Sequence, residues 1–377
     1  MPLGTLELDI QDEFGPQKII HVYEPGVGLN GVLVVDNTAA GPSIGGTRMA
    51  PDVTVAECFR LARAMTLKNA AAGLPHGGGK SVILGDPRMP REQKEKIIRA
   101  FAAALAGESG YIFGPDMGTN ETCMAWIHDE IGRAVGLPRE IGGIPLDDLG
   151  ATGYGLLHAV EAALPYAGFD LDGARVVVQG FGAVGIFAAR FLQEKGAVLI
   201  AASDSQGAIE NAEGLDVEKL ILHKQGGEEV STFSGGSKAD RDSVIDVACE
   251  IWVPAARPDV ITADNVDRLK TRIVAQGANI ALTAEAEATL HARGVISLPD
   301  FIANAGGVIC GAMEYHGVSE AAAFEAIADR ISRNTDEVLK RSKADGVLPR
   351  ESASNMAMER VRAAMANRRW SISQGAV

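Results

Sequence analysis

Cysteine is scarce in this sequence, and its placement argues against the sites that cysteine usually builds. Only four are present, Cys58, Cys123, Cys249 and Cys310, and no two of them form a C-x-x-C pair. Widely separated thiols are typical of buried, reduced side chains in a cytoplasmic protein rather than of a disulfide framework. We therefore expect a cytoplasmic chain with no metal site.

Long apolar runs and an excess of basic charge are also missing. No apolar stretch approaches the roughly 20 residues that cross a bilayer, and the acidic N-terminal segment has no signal-peptide core. The 49 acidic residues outnumber the 35 basic ones, which gives a formal charge of −14. Because nucleic acids and anionic membranes attract basic surfaces, neither is expected as a partner. A soluble protein that acts on small molecules is expected instead.

The hydrophobic content, 46% of 377 residues, is enough for two packed domains. Short alternating runs in the first 55 residues predict strands of a sheet. Helical patterns follow at 55–72, 90–106 and 119–134. The glycine-rich segment 141–155 then predicts a domain boundary.

Beyond that boundary, short apolar runs alternate with helical patterns, which is the signature of a doubly wound parallel sheet. Strands are expected in ARVVVQG, AVLIAASD, CEIWVPAA, RIVAQGAN and VISLPD. The polar segment 213–243 has a weak pattern and is predicted to elaborate the surface, with any regulatory role left open. Two helical patterns fill 318–369.

An intact G-x-G-x-x-G follows the strand ARVVVQG and opens a helix. In a dinucleotide-binding turn, Gly180 would make the turn, Gly182 would admit the pyrophosphate and Gly185 would allow helix packing. Asp204 ends the next strand, where it would accept hydrogen bonds from the adenosine ribose and so favour NAD over NADP. Ser203 and Ser205 could accommodate a 2′-phosphate, but no arginine stands nearby in the sequence to hold it. A glycine-rich turn that binds no dinucleotide is the alternative.

The stretch AAGLPHGGGKSVILGDP places three glycines directly before Lys80. A phosphate-binding P-loop would need a further glycine at Leu74 and a helix after Ser81, and the sequence predicts neither. Two interpretations remain. Either Lys80 faces a ligand across bare backbone, with the glycines letting a substrate lie against the chain, or the glycines form an ordinary bend.

Two further groups could act with Lys80. Lys68 falls in the last turn of a helical pattern, where a cation also suits the helix dipole. Asp116 lies in the glycine-bounded loop YIFGPDMGTNE. Two cations and a carboxylate in one cleft would suit a substrate that carries a carboxylate and a reacting amine. Spacing alone does not bring them together, since surface lysines are common.

Eight motifs now carry a family resemblance: GPSIGGTRMAPDVT, MTLKNAAAGLPHGGGKSVI, GPDMGTNE, ATGYG, QGFGAVG, VPAA, QGAN and PDFIANAGGV. These motifs extend from about residue 30 to 317 and follow one another in the order found in the glutamate/leucine/phenylalanine/valine dehydrogenase superfamily. The chain therefore resembles that superfamily. The resemblance implies NAD(P)-dependent, reversible oxidative deamination of an L-amino acid to the 2-oxo acid and ammonia. It also implies a homo-oligomer and a domain closure that excludes water.

The family architecture implies an α/β protein of two domains with a returning C-terminal segment. An α/β substrate and oligomerisation domain is expected over 1–145, and a Rossmann-like, doubly wound NAD-binding domain over 146–335. Helices over 336–377 are expected to pack back on the first domain.

The resemblance also implies roles for single residues. Lys68 would bind the substrate α-carboxylate, Lys80 would activate the water or the carbinolamine, and Asp116 would shuttle protons. Thr152, Asn279 and Asn304 match positions that hold the nicotinamide and the amino-acid end of the substrate. The other expected cofactor residues are Phe181, Ala183, Val184, Ala255 and Ala256, beside the glycines and Asp204. The other expected substrate residues are Ile44, Gly45, His76, Gly114, Val308 and Gly311.

The side-chain pocket departs from the glutamate-specific pattern. Glutamate-specific members have a lysine where this chain has Ile44, and a serine where it has Gly311. Gly114 and Gly311 both leave room, so a large aliphatic or aromatic side chain is expected, closest to the leucine/phenylalanine branch. His76 replaces the usual apolar residue. It would contact a polar or aromatic substrate group, or else turn away into local hydrogen bonds.

Three rival functions stay open. One is a glutamate dehydrogenase with a rearranged carboxylate site, since a pocket histidine could pair with an acidic substrate. Another is a catalytically silent NAD-binding regulatory protein, although Lys68, Lys80 and Asp116 are all present. A dehydrogenase for a different substrate class would not need both lysines.

Overall fold

The computed structural model describes residues 11–368, and the chain divides into two compact units. Within the described residues, the N-terminal unit holds 11–145, Gly311–Ala323 and 355–368. The central unit holds Leu146–Cys310 and Phe324–Ser354. This division differs from the expected boundary at residue 336, because the changes from one unit to the other fall inside the last three helices.

A five-stranded sheet organises the N-terminal unit, in the order β1-β2-β4-β3-β5. Its elements in chain order are β1 Lys18–Glu24, β2 Leu29–Asn37, β3 Ser43–Ala50, α1 Val55–Ala71, β4 Gly77–Leu84, α2 Arg91–Ala104, β5 Tyr111–Pro115 and α3 Glu121–Ile131. β2 pairs antiparallel with β1 and β4, whereas β3 pairs parallel with β4 and β5. β4 therefore lies in the middle of the sheet, and this position buries Lys80.

The local sequence explains why α1 begins and ends where it does. Thr54 accepts a hydrogen bond from the Glu57 backbone amide at 3.1 Å, as an N-cap residue does. Cys58, Ala62 and Thr66 recur at helical spacing and form part of the buried face. The helix ends before Gly73, whose φ of 63° is readily adopted only by glycine.

A seven-stranded sheet organises the central unit, in the order β12-β11-β10-β6-β7-β8-β9. The elements are α4 Ala151–Ala167, β6 Arg175–Gln179, α5 Ala183–Glu194, β7 Val198–Ser203, β8 Ala208–Glu210, α6 Val217–Gln225, β9 Ser237–Ala239, β10 Ile251–Pro254, β11 Ile273–Ala275, α7 Ala284–Ala292, β12 Ile296–Leu298 and α8 Asp300–Ala303. β12 through β7 are parallel, and β8 and β9 extend the sheet antiparallel. The α/β class and the Rossmann-like sheet are confirmed.

Three helices end the described chain: α9 Gly306–Tyr315, α10 Glu320–Asp345 and α11 Pro349–Ala366. α10 and α11 are the two helices expected over 318–369. The segment 213–243 is more ordered than its polar sequence suggested, because it contributes α6 and β9 to the central unit. None of the helices described between residues 11 and 368 is long and apolar enough to cross a membrane.

Candidate active site and dinucleotide cavity

Lys80 and Asp116 form an ion pair in the N-terminal unit. The Lys80 ammonium lies 2.5 Å from Asp116 Oδ2, and the lysine is only 6% exposed. Arg48, at the end of the GGTR segment on β3, donates to the same oxygen from Nε at 3.2 Å. Arg48 also lies 2.5 Å from Glu57 Oε1. The structure thus brings together two of the three groups expected from the sequence and adds Arg48, which the motif itself could have revealed.

The two cations determine the charge state of Asp116. Burial by itself would raise the pKa of this carboxyl, but the nearby charges of Lys80 and Arg48 outweigh it and hold the pKa below its usual value. Asp116 is therefore an ionised carboxylate at neutral pH. A carboxylate of this kind accepts a proton from a donor within hydrogen-bonding distance.

Because Gly46 has no side chain, there is room beside it for the Lys80–Asp116 pair. A Cβ atom added to Gly46 would lie 2.7 Å from Asp116 Cβ and 3.0 Å from Lys80 Nζ. Gly45, which was expected to contact the substrate, faces the opposite way: a Cβ there would collide with the Gly79 carbonyl. The position that a Cβ atom would take therefore points toward the Lys80–Asp116 pair at Gly46 and away from it at Gly45.

The glycine run before Lys80 serves the packing of the protein itself. Gly77, Gly78 and Gly79 are all buried. A Cβ on Gly78 would collide with the Thr66 backbone of α1, and one on Gly77 with the Asn37 carbonyl. This corrects the expectation that the glycines let a substrate lie against bare backbone. Gly78 lets α1 approach β4 closely, and Gly77 and Gly79 admit Asn37 of β2 and Tyr111 of β5, so that the strand that carries Lys80 is closely packed on its neighbours.

Lys68 lies half-buried in the last turn of α1. It is two residues beyond Thr66, the residue that packs against Gly78. The neighbouring Asn69 is fully buried and donates to the Ile44 and Gly77 carbonyls at 3.3 and 2.6 Å. The end of α1 is thereby tied to β3 and β4, the strands that carry Ile44 and Lys80.

Several of the expected side-chain pocket residues lie near one another in the N-terminal unit. Ile44 is 4% exposed and, since side chains alternate along a strand, lies on the same face of β3 as Gly46. Gly114 pairs with Gly46 across β3 and β5. A Cβ on Gly114 would lie 3.6 Å from Val135 Cγ2, and one on Gly311 would lie 3.3 Å from the same atom. Val135 therefore lies beside both glycines, a neighbour that sequence reasoning missed.

His76 turns into hydrogen bonds within the protein. Its Nδ1 lies 3.0 Å from the Pro42 carbonyl, its Nε2 lies 3.0 Å from His316 Nε2, and the residue is 2% exposed. Burial lowers the pKa of His76 to about 4, so the ring is neutral at pH 7. Both ring nitrogens are engaged, which matches the alternative of local hydrogen bonds rather than contact with a substrate.

The glycine turn of the central unit has the geometry of a dinucleotide-binding turn. Gly180 has φ 97°, and a Cβ there would lie 2.7 Å from Ala256 Cα. A Cβ on Gly185 would collide with the Gly180 carbonyl, so this glycine allows α5 to pack on the turn. Gly182, at the N-cap of the twelve-residue α5, has no neighbouring atom within 4 Å of such a Cβ. That open space at a helix N-terminus suits a pyrophosphate.

A cavity of about 680 Å³ adjoins this turn. Several expected cofactor residues line it: Gly180, Phe181, Gly182, Asp204, Ala255 and Ala256. Gln179 also lines it, and its Oε1 is buried without a hydrogen-bond partner. An unpartnered polar atom beside open space fits a bound dinucleotide. Phe181 itself is 1% exposed, so its ring belongs to the core and its backbone borders the cavity.

The hydrogen bonding of Asp204 and the charges that line the cavity differ from what the sequence predicted. Asp204 accepts a hydrogen bond from Lys224 Nζ at 2.6 Å. Arg241, Arg257 and Arg268 line the same cavity, although no arginine stands near Asp204 in the sequence. The chain brings them there through 213–243 and the segments after β9 and β10.

The other expected cofactor residues lie around Gly277 and the start of α9. Asn304 donates to the Gly277 carbonyl at 3.2 Å and to Asn279 Oδ1 at 2.9 Å. A Cβ on Gly277 would lie 3.0 Å from Val184 Cγ1, and one on Gly307 would lie 3.3 Å from Thr152 Oγ1. None of these residues lines the cavity described above. Ala183 begins α5, and Val308 is half-buried in α9.

Comparison with known proteins agrees with this geometry. Residues 16–133 match the family described as Glu/Leu/Phe/Val dehydrogenase, dimerisation domain, and residues 142–369 match Glutamate/Leucine/Phenylalanine/Valine dehydrogenase. Glutamate dehydrogenase from Aeropyrum pernix is 36% identical over 358 residues, covering 89% of this chain and 85% of that protein. NADP-specific glutamate dehydrogenase from Saccharolobus shibatae is 35% identical, covering 97% and 92%.

A solved structure shares the fold. The Leu-bound form of hetero-hexameric glutamate dehydrogenase from Thermus thermophilus superposes with a TM-score of 0.83 at 30% identity, covering 93% of this chain and 90% of that one. The fold, the glycine turn and the lysine–aspartate pair define an NAD(P)-dependent amino acid dehydrogenase, an oxidoreductase. The chain belongs to the Glu/Leu/Phe/Val dehydrogenase family.

Proposed function

We propose that this enzyme catalyses the reversible oxidative deamination of an L-amino acid with a large apolar side chain. The products are the 2-oxo acid, ammonia and the reduced dinucleotide. The reaction class follows from the family, whereas the choice of amino acid rests on the residues that would surround its side chain.

One observation carries the substrate proposal: an apolar residue, Ile44, is buried on the face of β3 that also carries Gly46, next to the Lys80–Asp116 pair. A glutamate side chain placed there would bury its γ-carboxylate beside Ile44, without the lysine and serine that glutamate-specific members use. An unpaired buried carboxylate costs several kcal/mol. An apolar side chain has no such cost and gains burial energy of about 25 cal/mol per Å².

The charged pair supplies the proton chemistry in this proposal. Lys68 binds the substrate α-carboxylate, and the Lys80 ammonium donates hydrogen bonds to the water oxygen that adds to the imine carbon. Asp116, ionised because Lys80 and Arg48 outweigh its burial, accepts a proton from the substrate amine or from that water. Arg48 keeps the Asp116 carboxylate oriented.

A bound dinucleotide would supply the acceptor for the hydride that leaves the α-carbon. Gly180 and Gly182 give its pyrophosphate close access to the N-terminus of α5. Thr152, Asn279 and Asn304 would orient its nicotinamide end. Asn304 and Asn279 support each other in this role through their 2.9 Å hydrogen bond.

Glutamate oxidation is the second candidate, because the relatives described above are named glutamate dehydrogenases. It requires a cation other than the missing lysine to meet the γ-carboxylate. We also propose that the chain forms a homo-oligomer through residues 16–133, since that segment matches a family described as a dimerisation domain.

The decisive experiment measures initial rates of NADH and NADPH formation at alkaline pH with all twenty L-amino acids. We expect the highest kcat/KM with phenylalanine, tryptophan, leucine or methionine, and no turnover by the Lys80→Ala variant. Glutamate as the best substrate would overturn the proposal. Bound dinucleotide without turnover of any of the twenty would identify a silent regulatory protein, provided that unusual amino acids also fail.

A pair of variants tests the pocket directly. Ile44→Lys combined with Gly311→Ser restores both glutamate-type residues, and we expect it to raise the ratio of glutamate to leucine activity by at least about tenfold. Gly311→Ala is the matched control, because it adds bulk beside Val135 without a polar group. If the control changes that ratio as much as the double variant does, Ile44 and Gly311 do not select the substrate.

A further inference from the structure

Ile280, the residue after Asn279, has a backbone conformation that isoleucine rarely adopts. Its φ is 52°, and among the described residues other than glycine only Asp259 also has a positive φ. A β-branched residue in this left-handed region is strained, and the strain persists only where the surrounding structure holds the backbone. Packing of the Ile280 side chain does not hold it, because the residue is 55% exposed.

Two hydrogen bonds hold the backbone of Ile280 instead. Its amide donates to Asp300 Oδ2 at 2.9 Å, and its carbonyl accepts from the Asp259 amide at 2.9 Å. Asp300 is 5% exposed and begins α8, whereas Asp259 lines the cavity beside the glycine turn. A hydrogen bond to an ionised carboxylate is stronger than one between neutral groups. Asp300 therefore contributes most to holding Ile280 in the strained conformation.

Arg350 connects Asp300 to the other end of the same segment. Its Nη1 lies 2.8 Å from Asp300 Oδ1, and its Nε donates to Glu287 Oε2 at 2.6 Å. Its Nη2 donates to Gln276 Oε1 at 3.3 Å. All of these residues belong to the central unit. One guanidinium thus contacts Gln276 directly and reaches Ile280 through Asp300, so it supports both ends of segment 276–280.

We propose that Arg350 is a positioning residue for hydride transfer, which keeps Asn279 in place by holding both ends of segment 276–280. Asn279 lies within this segment, and its Oδ1 accepts from Asn304 at 2.9 Å. Once the ends are released, Ile280 relaxes to a negative φ and turns Asn279 away from Asn304. The proposal rests on the nicotinamide role proposed above for these two asparagines.

The first test is the kinetics of Arg350→Lys with the best amino-acid substrate. Lysine keeps a positive charge beside Asp300 and Glu287 but loses the planar group that contacts three partners at once. We expect kcat to fall about 10–100-fold, as a small misplacement near a reacting centre causes. KM for the amino acid should change less than about threefold, because the substrate contacts lie elsewhere. Wild-type kcat in this variant overturns the proposal.

Coenzyme binding tests the same proposal without turnover. Calorimetric titration of the whole protein compares NAD or NADP, whichever binds more tightly, with the same molecule lacking its nicotinamide, which is ADP-ribose or 2′-phospho-ADP-ribose. We expect Arg350→Lys to weaken the complete coenzyme at least about threefold and to leave the truncated one unchanged. Equal effects on both molecules overturn the proposal. The titrations contain no amino acid, so failure of the proposed substrate choice leaves their outcome unaffected.

A glycine at position 280 separates positioning from general support of the fold. Glycine adopts a φ of 52° without steric cost, so the segment no longer depends on Arg350 for its shape. We expect Arg350→Lys combined with Ile280→Gly to recover most of the kcat lost in Arg350→Lys. If the combined variant is as slow as Arg350→Lys, strain at Ile280 is not the link and the proposal is overturned.

Asp300→Asn covers the case in which Arg350→Lys fails to fold. Asparagine keeps an oxygen for the Ile280 amide but removes the charge that strengthens this hydrogen bond, while Arg350 stays paired with Glu287. We expect the same selective losses in kcat and in binding of the complete coenzyme, by smaller factors than in Arg350→Lys. Wild-type values of both quantities overturn the proposal.

Arg293→Lys is the matched control. Arg293 belongs to the same unit and donates to the Val266 and Leu269 carbonyls at 2.9 and 2.5 Å, outside segment 276–280. We expect this variant to keep wild-type kcat and the wild-type difference between the two coenzyme forms. Losses as large as those of Arg350→Lys would show that any weakened arginine contact in this unit has the same effect, and would overturn the proposal.

Discussion

Lys80 Nζ and Asp116 Oδ2 lie 2.5 Å apart. Lys80 is on a strand and Asp116 is on a loop, and a side chain at Gly46 would come too close to both of them. The pair combines a buried cation with a carboxylate that stays ionised. Each group therefore depends on the other for its place, and the proton transfer proposed above would involve both.

Replacing Asp116 with asparagine removes the carboxylate proposed to accept the proton and keeps the shape of the side chain. We expect kcat to fall by about 10²–10⁴, the usual contribution of a general base. Binding of the dinucleotide, which uses residues of the central unit, should not change. A variant that keeps more than about a tenth of wild-type kcat would show that Asp116 does not transfer the proton. Glu57→Gln, which alters the second partner of Arg48, is the control for loss of orientation alone.

Alanine should destabilise the protein much more at Gly78 than at Gly114, although both glycines are buried in the same sheet. In Gly78→Ala the added methyl collides with the Thr66 backbone, so we expect a loss of more than about 3 kcal/mol in the free energy of unfolding. In Gly114→Ala the nearest atoms lie 3.6 Å away, an ordinary contact. Its stability should change by less than about 1 kcal/mol, since alanine also restricts the unfolded chain. Urea denaturation of both variants decides this, and equal losses would contradict the packing role of Gly78.

Gly182→Ala should separate dinucleotide binding from stability. The added methyl meets no protein atom within 4 Å, so the free energy of unfolding should fall by less than about 1 kcal/mol, the usual effect at an N-cap. The same methyl occupies the space expected for the pyrophosphate, and we expect the Kd for NADP to rise at least about tenfold. Fluorescence titration measures the Kd. Unchanged affinity would place the pyrophosphate elsewhere.

His76 should make the protein less stable in mild acid. The ring has a pKa of about 4 when folded, against about 6.5 in an unfolded chain. Between these values the unfolded state binds more protons, so stability is complete above pH 6.5 and is lost as the pH falls toward 4. At pH 5 the loss is about 2 kcal/mol relative to pH 8.

Urea denaturation at pH 8 and pH 5 measures this loss. In His76→Asn, which keeps a donor for the Pro42 carbonyl, the loss should shrink by that amount. His316→Asn, which keeps the buried His76, should retain most of it. Parallel pH profiles for wild type and His76→Asn would exclude His76 as the cause.

Local signals in the sequence predicted most elements correctly. The strand that carries Lys80, the helix over 55–72 and the two C-terminal helices follow directly from periodicity and from glycine and proline positions. The G-x-G-x-x-G predicted both the turn and the packing of α5, because each glycine there acts on its immediate neighbours.

Long-range contacts were less predictable. The glycines at 77–79 indicated a ligand, but their partners are Thr66 and Asn37, which no local pattern connects to them. The cations that line the cavity with Asp204 come from α6 and from segments after β9 and β10, so distance along the chain concealed them. His76 departed from the family pattern, yet its partner His316 lies near the other end of the sequence.

The antiparallel extension of the central sheet has a practical consequence for enzyme engineering. Segment 213–243 ends at the edge strand β9 and carries Lys224 and Arg241, while the glycine turn between β6 and α5 is encoded separately. Because Lys80 and Asp116 belong to the N-terminal unit, substitutions in this segment can alter the lining of the cavity while the two residues of that ion pair stay as they are.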